Sequence, residues 1–476
     1  MKKFGCALRL ALLGAIATIG LNTRINASEK QSTHRSRSIV QAVHPDSVTW
    51  EHLTFEPMAK LTSVAELSQV RSTRSTTKAE FTTVQQLRQE LSNELNILQQ
   101  RVENLQGENL KQSQQAFSTT TKLNGEVVFA LIGLDAGDSS EDSNKLILGN
   151  RVRLNFDTSF TGEDRLRTRL QANNIERIDR VAGTDMARLG FQGSSENKLN
   201  ISRLEYSFPL NEQVDVYLEA AGASLNDFTN TLNPYGTGSS SGTISRFGQR
   251  NPIYRQGGGS GLGINYEFND TVNLTLGYLG DDLNDPEVGF NQAAYGAIAQ
   301  LTFEFGDSGL GLTYIHSYNG LNTATGSDRS NDPFDGNSEV VLGDSFGVQT
   351  AIEVSDEVVL SGWIGFTQAQ AIDLSDRPTA NIINWAVILA FPDLGKEGSV
   401  LGIVVGQPPK AIQNDFQQAG QSYKDSDTSL HLEAYYRLQL NEFIFLTPGI
   451  LIVTNPEHDP NNDTLYLGTL RTTFSF

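Results

Sequence analysis

Leu465-Tyr-Leu-Gly-Thr-Leu-Arg-Thr-Thr-Phe-Ser-Phe476 decides how the rest of this sequence is read. In steps of two, one face carries Tyr466, Gly468, Leu470, Thr472, Phe474 and Phe476. The other carries Leu467, Thr469, Arg471, Thr473 and Ser475 and is mostly polar. A period of two marks a strand whose faces meet different media. The edge of a soluble sandwich is one reading. The closing strand of a transmembrane barrel, paired with the first strand and ending in interfacial aromatics, is the other.

The same alternation recurs upstream. Val152, Leu154 and Phe156 share a face of Arg151–Asp157, and Leu166, Thr168, Leu170 and Ala172 share one of Arg165–Ala172. Leu204, Tyr206 and Phe208 precede the turn Asn211-Glu-Gln213, and Val214, Val216 and Leu218 follow it. Short turns are expected at 161–164, 211–213, 269–271, 306–308, 355–356, 392–398 and 441–442. Long Gly/Asn/Asp-rich connections are expected near 132–144, 175–198, 221–260, 280–293, 318–343, 367–380, 407–427 and 455–463. Seven turns and eight long links separate sixteen strands. An even count with alternating short and long links fits an outer-membrane barrel and gives a soluble sheet no reason for its parity. The fold class expected is therefore all-β, a transmembrane antiparallel β-barrel of about 16 strands over residues 118–476. Sixteen strands enclose water rather than a packed core, which points to a channel.

Residues ahead of the barrel read as three segments. Lys2, Lys3 and Arg9 precede an apolar run from Leu10 to Leu21, and Ile25-Asn-Ala27 offers a cleavage site, so 1–27 reads as a signal peptide. Cys6, the one cysteine, falls inside it, leaving the mature chain without thiol chemistry. Residues 28–80 read as polar linker. From Phe81 a heptad begins: Phe81, Val84, Leu91, Leu95, Leu98, Val102 and Leu105 take a and d, with Arg88 the polar exception. Residues 81–115 are thus expected to form a coiled coil, with a helix folded onto its own chain as the other reading.

The net charge of −19 argues against nucleic acid as a partner. Inward-facing basic residues are expected at Arg151, Arg153, Arg165, Arg167, Arg169 and Arg203. Acids are expected opposite them at Asp157, Glu205, Asp215, Glu219 and Glu267. Facing charges in a pore tune the passage of ions, although any lumen must be polar. Ser245-Arg-Phe-Gly-Gln-Arg-Asn-Pro-Ile-Tyr-Arg-Gln-Gly-Gly-Gly259 lies in the longest loop. Its Arg246, Arg250 and Arg255 would suit a constriction if the loop folds into the bore; capping the outer mouth is the alternative.

No catalytic or metal site is expected, and no cofactor. The six histidines (34, 44, 52, 316, 431, 458) show no metal-type spacing, and no nucleophile elbow, HExxH or P-loop occurs. A Ser/His pair on the barrel wall could still hide a hydrolase, with His431 the histidine best placed in a strand. The acidic stretches Gly280–Glu287 and Ser327–Asp335 match no EF-hand spacing and read as solvated loops.

Ala116-Phe-Ser-Thr-Thr-Thr-Lys-Leu-Asn-Gly-Glu-Val-Val-Phe-Ala130 and the Ser245–Gly259 run, behind a coiled coil, resemble the cyanobacterial Som-type outer-membrane porins. These are grouped with OprB-like, nominally carbohydrate-selective porins and are often labelled iron-uptake porins. The resemblance covers roughly 61–476. It implies a passive channel in the cell outer membrane, seated among outer-membrane lipids as a homo-oligomer, a trimer. It further implies passage of inorganic ions and small hydrophilic solutes, with a solute-specific carbohydrate or iron channel as the alternative. Family members carry a surface-layer-homology domain before the coiled coil. Here Ser63–Val70 resembles its lead-in and Thr77–Phe81 its closing segment, with only Arg71–Thr76 between. That departure puts peptidoglycan binding, and a structural tethering role, in doubt.

Overall fold

The computed structural model describes residues 120–136 and 145–476. The expected signal peptide, linker, wall-binding remnant and coiled coil lie outside the described residues.

Sixteen long strands follow one another in the chain: β1 (Thr121–Asp135), β2 (Leu146–Thr158), β3 (Arg165–Ile175), β4 (Asn200–Asn211), β5 (Val214–Ser224), β6 (Gly258–Asn269), β7 (Val272–Gly280) and β8 (Tyr295–Phe305). The second half comprises β9 (Ser308–Tyr318), β10 (Val341–Ser355), β11 (Val358–Ala371), β12 (Thr379–Pro392), β13 (Val400–Asn414), β14 (Leu430–Asn441), β15 (Ile444–Thr454) and β16 (Leu465–Ser475). Each pairs antiparallel with its neighbour in sequence, and β1 also pairs with β16, so the sheet closes. The closing register runs from Glu126 opposite Ser475 to Asp135 opposite Tyr466. Reciprocal backbone bonds join Gly125 and Phe476 at 2.7 and 3.0 Å.

Closure leaves the sheet without an open edge, which a bilayer demands of a spanning sheet. Strands of 9 to 15 residues reach across the hydrocarbon at a tilt. The outward face is apolar and accessible, as at Leu148, Leu276, Phe346, Ile364, Val387 and Leu470. The opposite face of the same strands holds buried polar groups such as Arg151, Gln300, Ser345, Thr367, Glu433 and Arg471.

The turns sit where alternation breaks. Between β2 and β3, Asp164 closes the loop by accepting from the Phe160 and Thr161 amides, both at 2.8 Å, and from the Ser159 hydroxyl at 2.9 Å. Those donors hold its carboxyl well below the usual carboxylate range. One expected link is wrong in length. The connection placed at 367–380 shrinks to 372–378, because β11 and β12 pair out to Gln370 opposite Thr379. It is no longer than the turn at 393–399, and turn residues alone do not show how far a ladder extends. His316 also lies in a strand, β9, where its Nδ1 meets Asp344 at 2.9 Å.

Candidate functional site

The connection between β5 and β6, residues 225–257, folds into the barrel. Its backbone and side chains bond to inward residues around most of the circumference. Glu433 on β14 accepts from the Ile244 amide at 2.6 Å, from the Ser245 amide at 3.3 Å and from the Ser245 hydroxyl. Arg471 on β16 donates to the carbonyls of Gly242 at 2.6 Å and Ser239 at 3.2 Å. The Ser240 hydroxyl donates to Glu126 on β1 at 2.6 Å, and Tyr254 donates to Gln300 on β8 at 2.5 Å. Gln256 reaches Ser345 on β10 at 2.5 Å. A cap on the outer mouth would not meet these residues.

Apolar contacts add to the grip. Phe247 packs on Trp363, Ala386, Ile388 and Val404 of β11–β13. Phe228 lies over Gly263 and Gly277, where a Cβ would come within 2.2 and 2.5 Å of its ring, so glycine is needed at both seats. The loop therefore lies against the wall from β8 to β14 and at β16, β1 and β2, and residues of β2–β4 and of β8 face it across a gap. There a cavity of about 760 Å³ runs between wall and loop.

Six arginines line that cavity: Arg153, Arg169 and Arg203 from the wall, Arg246, Arg250 and Arg255 from the loop. Arg151 shares Glu126 with Arg153, at 3.0 and 3.4 Å, and donates to Ser239 at 3.1 Å. Arg167 forks onto Asp157 at 2.7 and 2.8 Å, and Arg169 donates to Asn155 at 2.7 Å. Arg165 pairs with Glu205. Arg203 holds three acids, Glu205 at 2.6, Glu219 at 2.8 and Asp227 at 2.7 Å. These wall residues thus form one ladder across β2–β5. Asp215, opposite Pro209, and Glu267, opposite Asn273, stand toward the turn ends and outside the cavity. Asp227 of the loop, which ties the loop to Arg203, was not expected to be functional. Only its place three residues after Ser224, in a capping box, marked it in the sequence.

The loop arginines are held differently. Arg250 donates to Asn226, and Arg255 donates to the Arg246 carbonyl at 2.5 Å. Burial, then the neighbouring charge of Arg188, pushes Arg246 down to about 9. Burial, then Arg246 and Arg250, pushes Arg255 well down too. A guanidinium nonetheless stays protonated at neutral pH.

Ser245 Oγ of the loop, not a wall serine, lies 3.2 Å from Nε2 of His431 on β14. It is not arranged as a nucleophile. The hydroxyl bonds to Glu433, which also lies 3.3 Å from the same imidazole nitrogen, and all three residues are fully buried. A triad needs the carboxylate on the other nitrogen and an accessible hydroxyl. Here the group fastens the loop.

Comparison with known proteins agrees with this architecture. The chain is 36% identical over 431 residues to an uncharacterized protein of Synechocystis sp., covering 84% of this chain and 77% of that one. It is 34% identical over 449 residues to an uncharacterized protein of Nostoc sp., covering 88% and 76%. Among solved structures, OprB of Pseudomonas putida superposes with a TM-score of 0.51 at 11% identity, covering 75% of this chain and 94% of that one. An anion-selective porin from Comamonas acidovorans gives 0.50 at 12% identity, covering 75% and 99%. Both share the barrel fold. The model of the carbohydrate-selective porin, OprB family, matches residues 78–476, so this chain belongs to that family of outer-membrane channel proteins.

Proposed function

We propose that this protein is a passive outer-membrane channel for inorganic ions and small hydrophilic solutes, with a bore that leans toward anions. The cavity between the inserted loop and the β2–β4 wall, lined by six arginines and two aspartates, supports this reading. Positive charge at a narrow passage raises the local concentration of anions, and the ~8 Å Debye length at physiological salt makes nearby charges dominate over those on the outer loops.

Changing Arg246, Arg250 and Arg255 together to alanine should raise single-channel conductance and move the reversal potential in a salt gradient toward cation preference. Neutralising the acids of 327–335 should leave both within experimental scatter. Unchanged conductance and reversal potential in the triple variant would move the selectivity to the wall, at Arg151 to Arg169. Carbohydrate passage is the second reading, favoured by the family description. Uptake of sugars of graded size into liposomes separates the two: a specific sugar channel saturates with one sugar, whereas a diffusion pore falls off with size alone.

The same reading assigns residues 1–27 to export and 81–115 to a periplasmic coiled coil joining three barrels.

A further inference from the structure

We propose that the arginine-lined cavity is a binding site for a doubly charged tetrahedral oxyanion of the phosphate and sulfate class. The proposal rests on the channel reading above and goes further, from a lean toward anions to a saturable site for one chemical class.

The cavity holds charge that the protein does not neutralise. Six arginines and two aspartates line the cavity, an excess of four positive charges from 6 − 2. Arg203 and Arg165 hold Asp227, Glu205 and Glu219, two positive charges against three negative, so the free positive charge lies elsewhere in the lining. Asp281, just after β7, is the other acid. Arg153 shares a single Glu126 with Arg151. Among the described residues, Arg169, Arg246, Arg250 and Arg255 form no ion pair, and the acceptors of Arg169, Arg250 and Arg255 are side-chain amides and a carbonyl. Arg246 has no side-chain bond at all among the described residues. The Nε–H groups of Arg246, Arg250 and Arg255 are buried without an acceptor.

Buried like charges that repel one another are costly unless an anion offsets them. The loop cannot relieve the strain by swinging away, because Glu433, Arg471, Phe247 and Phe228 pin it to the wall. The guanidinium groups of the loop are therefore held in place, and with Arg153 and Arg169 of the wall they line one cavity. Planar forks match the paired oxygens of an oxyanion better than a spherical halide, and several forks converging on one space favour more than one negative charge. A neutral sugar could use the donors but would leave the repulsion in place.

The test uses the full-length folded protein in planar bilayers in about 0.1 M KCl, where charges beyond ~10 Å are screened. Inorganic phosphate or sulfate should reduce the chloride current along a saturating curve at millimolar concentration, from the outer-loop side. Nitrate and glucose at the same concentrations should not. Arg246→Ala and Arg255→Ala should each weaken the block about tenfold, a loss of ~1.4 kcal/mol. Heat-modifiable migration checks that each variant folds, and the wild-type curve stands without them. A chloride current indifferent to phosphate and sulfate overturns the site while leaving the porin reading intact. Equal block by nitrate reduces the site to general anion attraction and overturns it too. Absence of any KCl conductance removes both readings together.

Discussion

At the scale of single residues, two buried charges of opposite sign keep the loop inside the barrel. Glu433 collects N–H and O–H donors from Ile244 and Ser245, while Arg471 collects carbonyls from Ser239 and Gly242. A loop backbone brought into a bore loses its water, and these side chains supply both kinds of partner where the ladder supplies none. Removing one member leaves the other groups buried and unpaired, at about 1–3 kcal/mol each. Glu433→Leu should therefore shift the docked loop toward release by roughly tenfold or more. The expected record is noisier open-channel current with a higher mean conductance. A quiet channel of wild-type conductance would show that Phe247 and Phe228 hold the loop without the carboxylate.

At the scale of elements, closure and the outer loops give separate predictions. The final strand meets β1 over its whole length, Phe474 packs edge-on against Phe129 at 6.1 Å, and the Phe476 ring lies where a Cβ on Gly125 would be only 2.4 Å away. Deleting Phe474–Phe476 removes the last pairs of the seam, so unfolded periplasmic protein should accumulate instead of heat-modifiable barrel. Normal barrel in the outer membrane would show that the remaining register suffices.

The outer rim is held by a different device. β13 and β14 pair only from Val400 to Gly406, because Pro408 and Pro409 interrupt the β13 donors. Outer loops fill that seam: His458 Nε2 donates to the Pro409 carbonyl at 3.0 Å while its Nδ1 accepts from the Ser429 amide at 2.7 Å. Glu457 accepts from Thr184 and from the Asp328 amide at 2.6 Å, and Asp425 accepts from Ser327 at 2.8 Å. Burial pushes Glu457 up to about 7 and Asp425 up to about 6. For an acid raised in the folded state, the associated stability is fully present below its ordinary value and is lost as pH rises through the folded one. His458, pushed down to about 4 by burial, opposes this on the acid side. The protection of the Asp328 amide, relative to its base-catalysed intrinsic exchange, should thus be lower at pH 8 than at pH 6, with the dependence reduced in Glu457→Gln. Equal exchange in both proteins across that range would remove Glu457 from the device.

At the scale of the whole molecule, the outward face is apolar and the inward face charged, so lipid outside and water inside are built into every strand. The proposed coiled coil would join three such barrels, and we propose that 28–80 does not hold them to the cell wall. Detergent-solubilised protein should stay in the supernatant when peptidoglycan sacculi are pelleted. Saturable co-sedimentation would show that 28–80 still binds the wall.

The strand faces were legible because alternation is local: Arg471 and Leu470 fall on opposite sides of β16 whatever the rest of the chain does. Turn chemistry marked the hairpins for the same reason, and the strand number followed from counting them. The basic ladder on Arg151–Arg169 could be read from parity, but its partners could not. Asp157 forks onto Arg167 because the register sets them opposite, and Glu126 meets Arg151 through β1 and β2. The sequence showed three arginines and bending glycines in 225–257 but left two places for the loop. That choice depends on Glu433 and Arg471, about 190 to 230 residues downstream, and on the glycine seats at Gly263 and Gly277. Contacts at that separation leave no periodic trace, because they arise only when the barrel closes and brings β14 and β16 round to face the loop from β5.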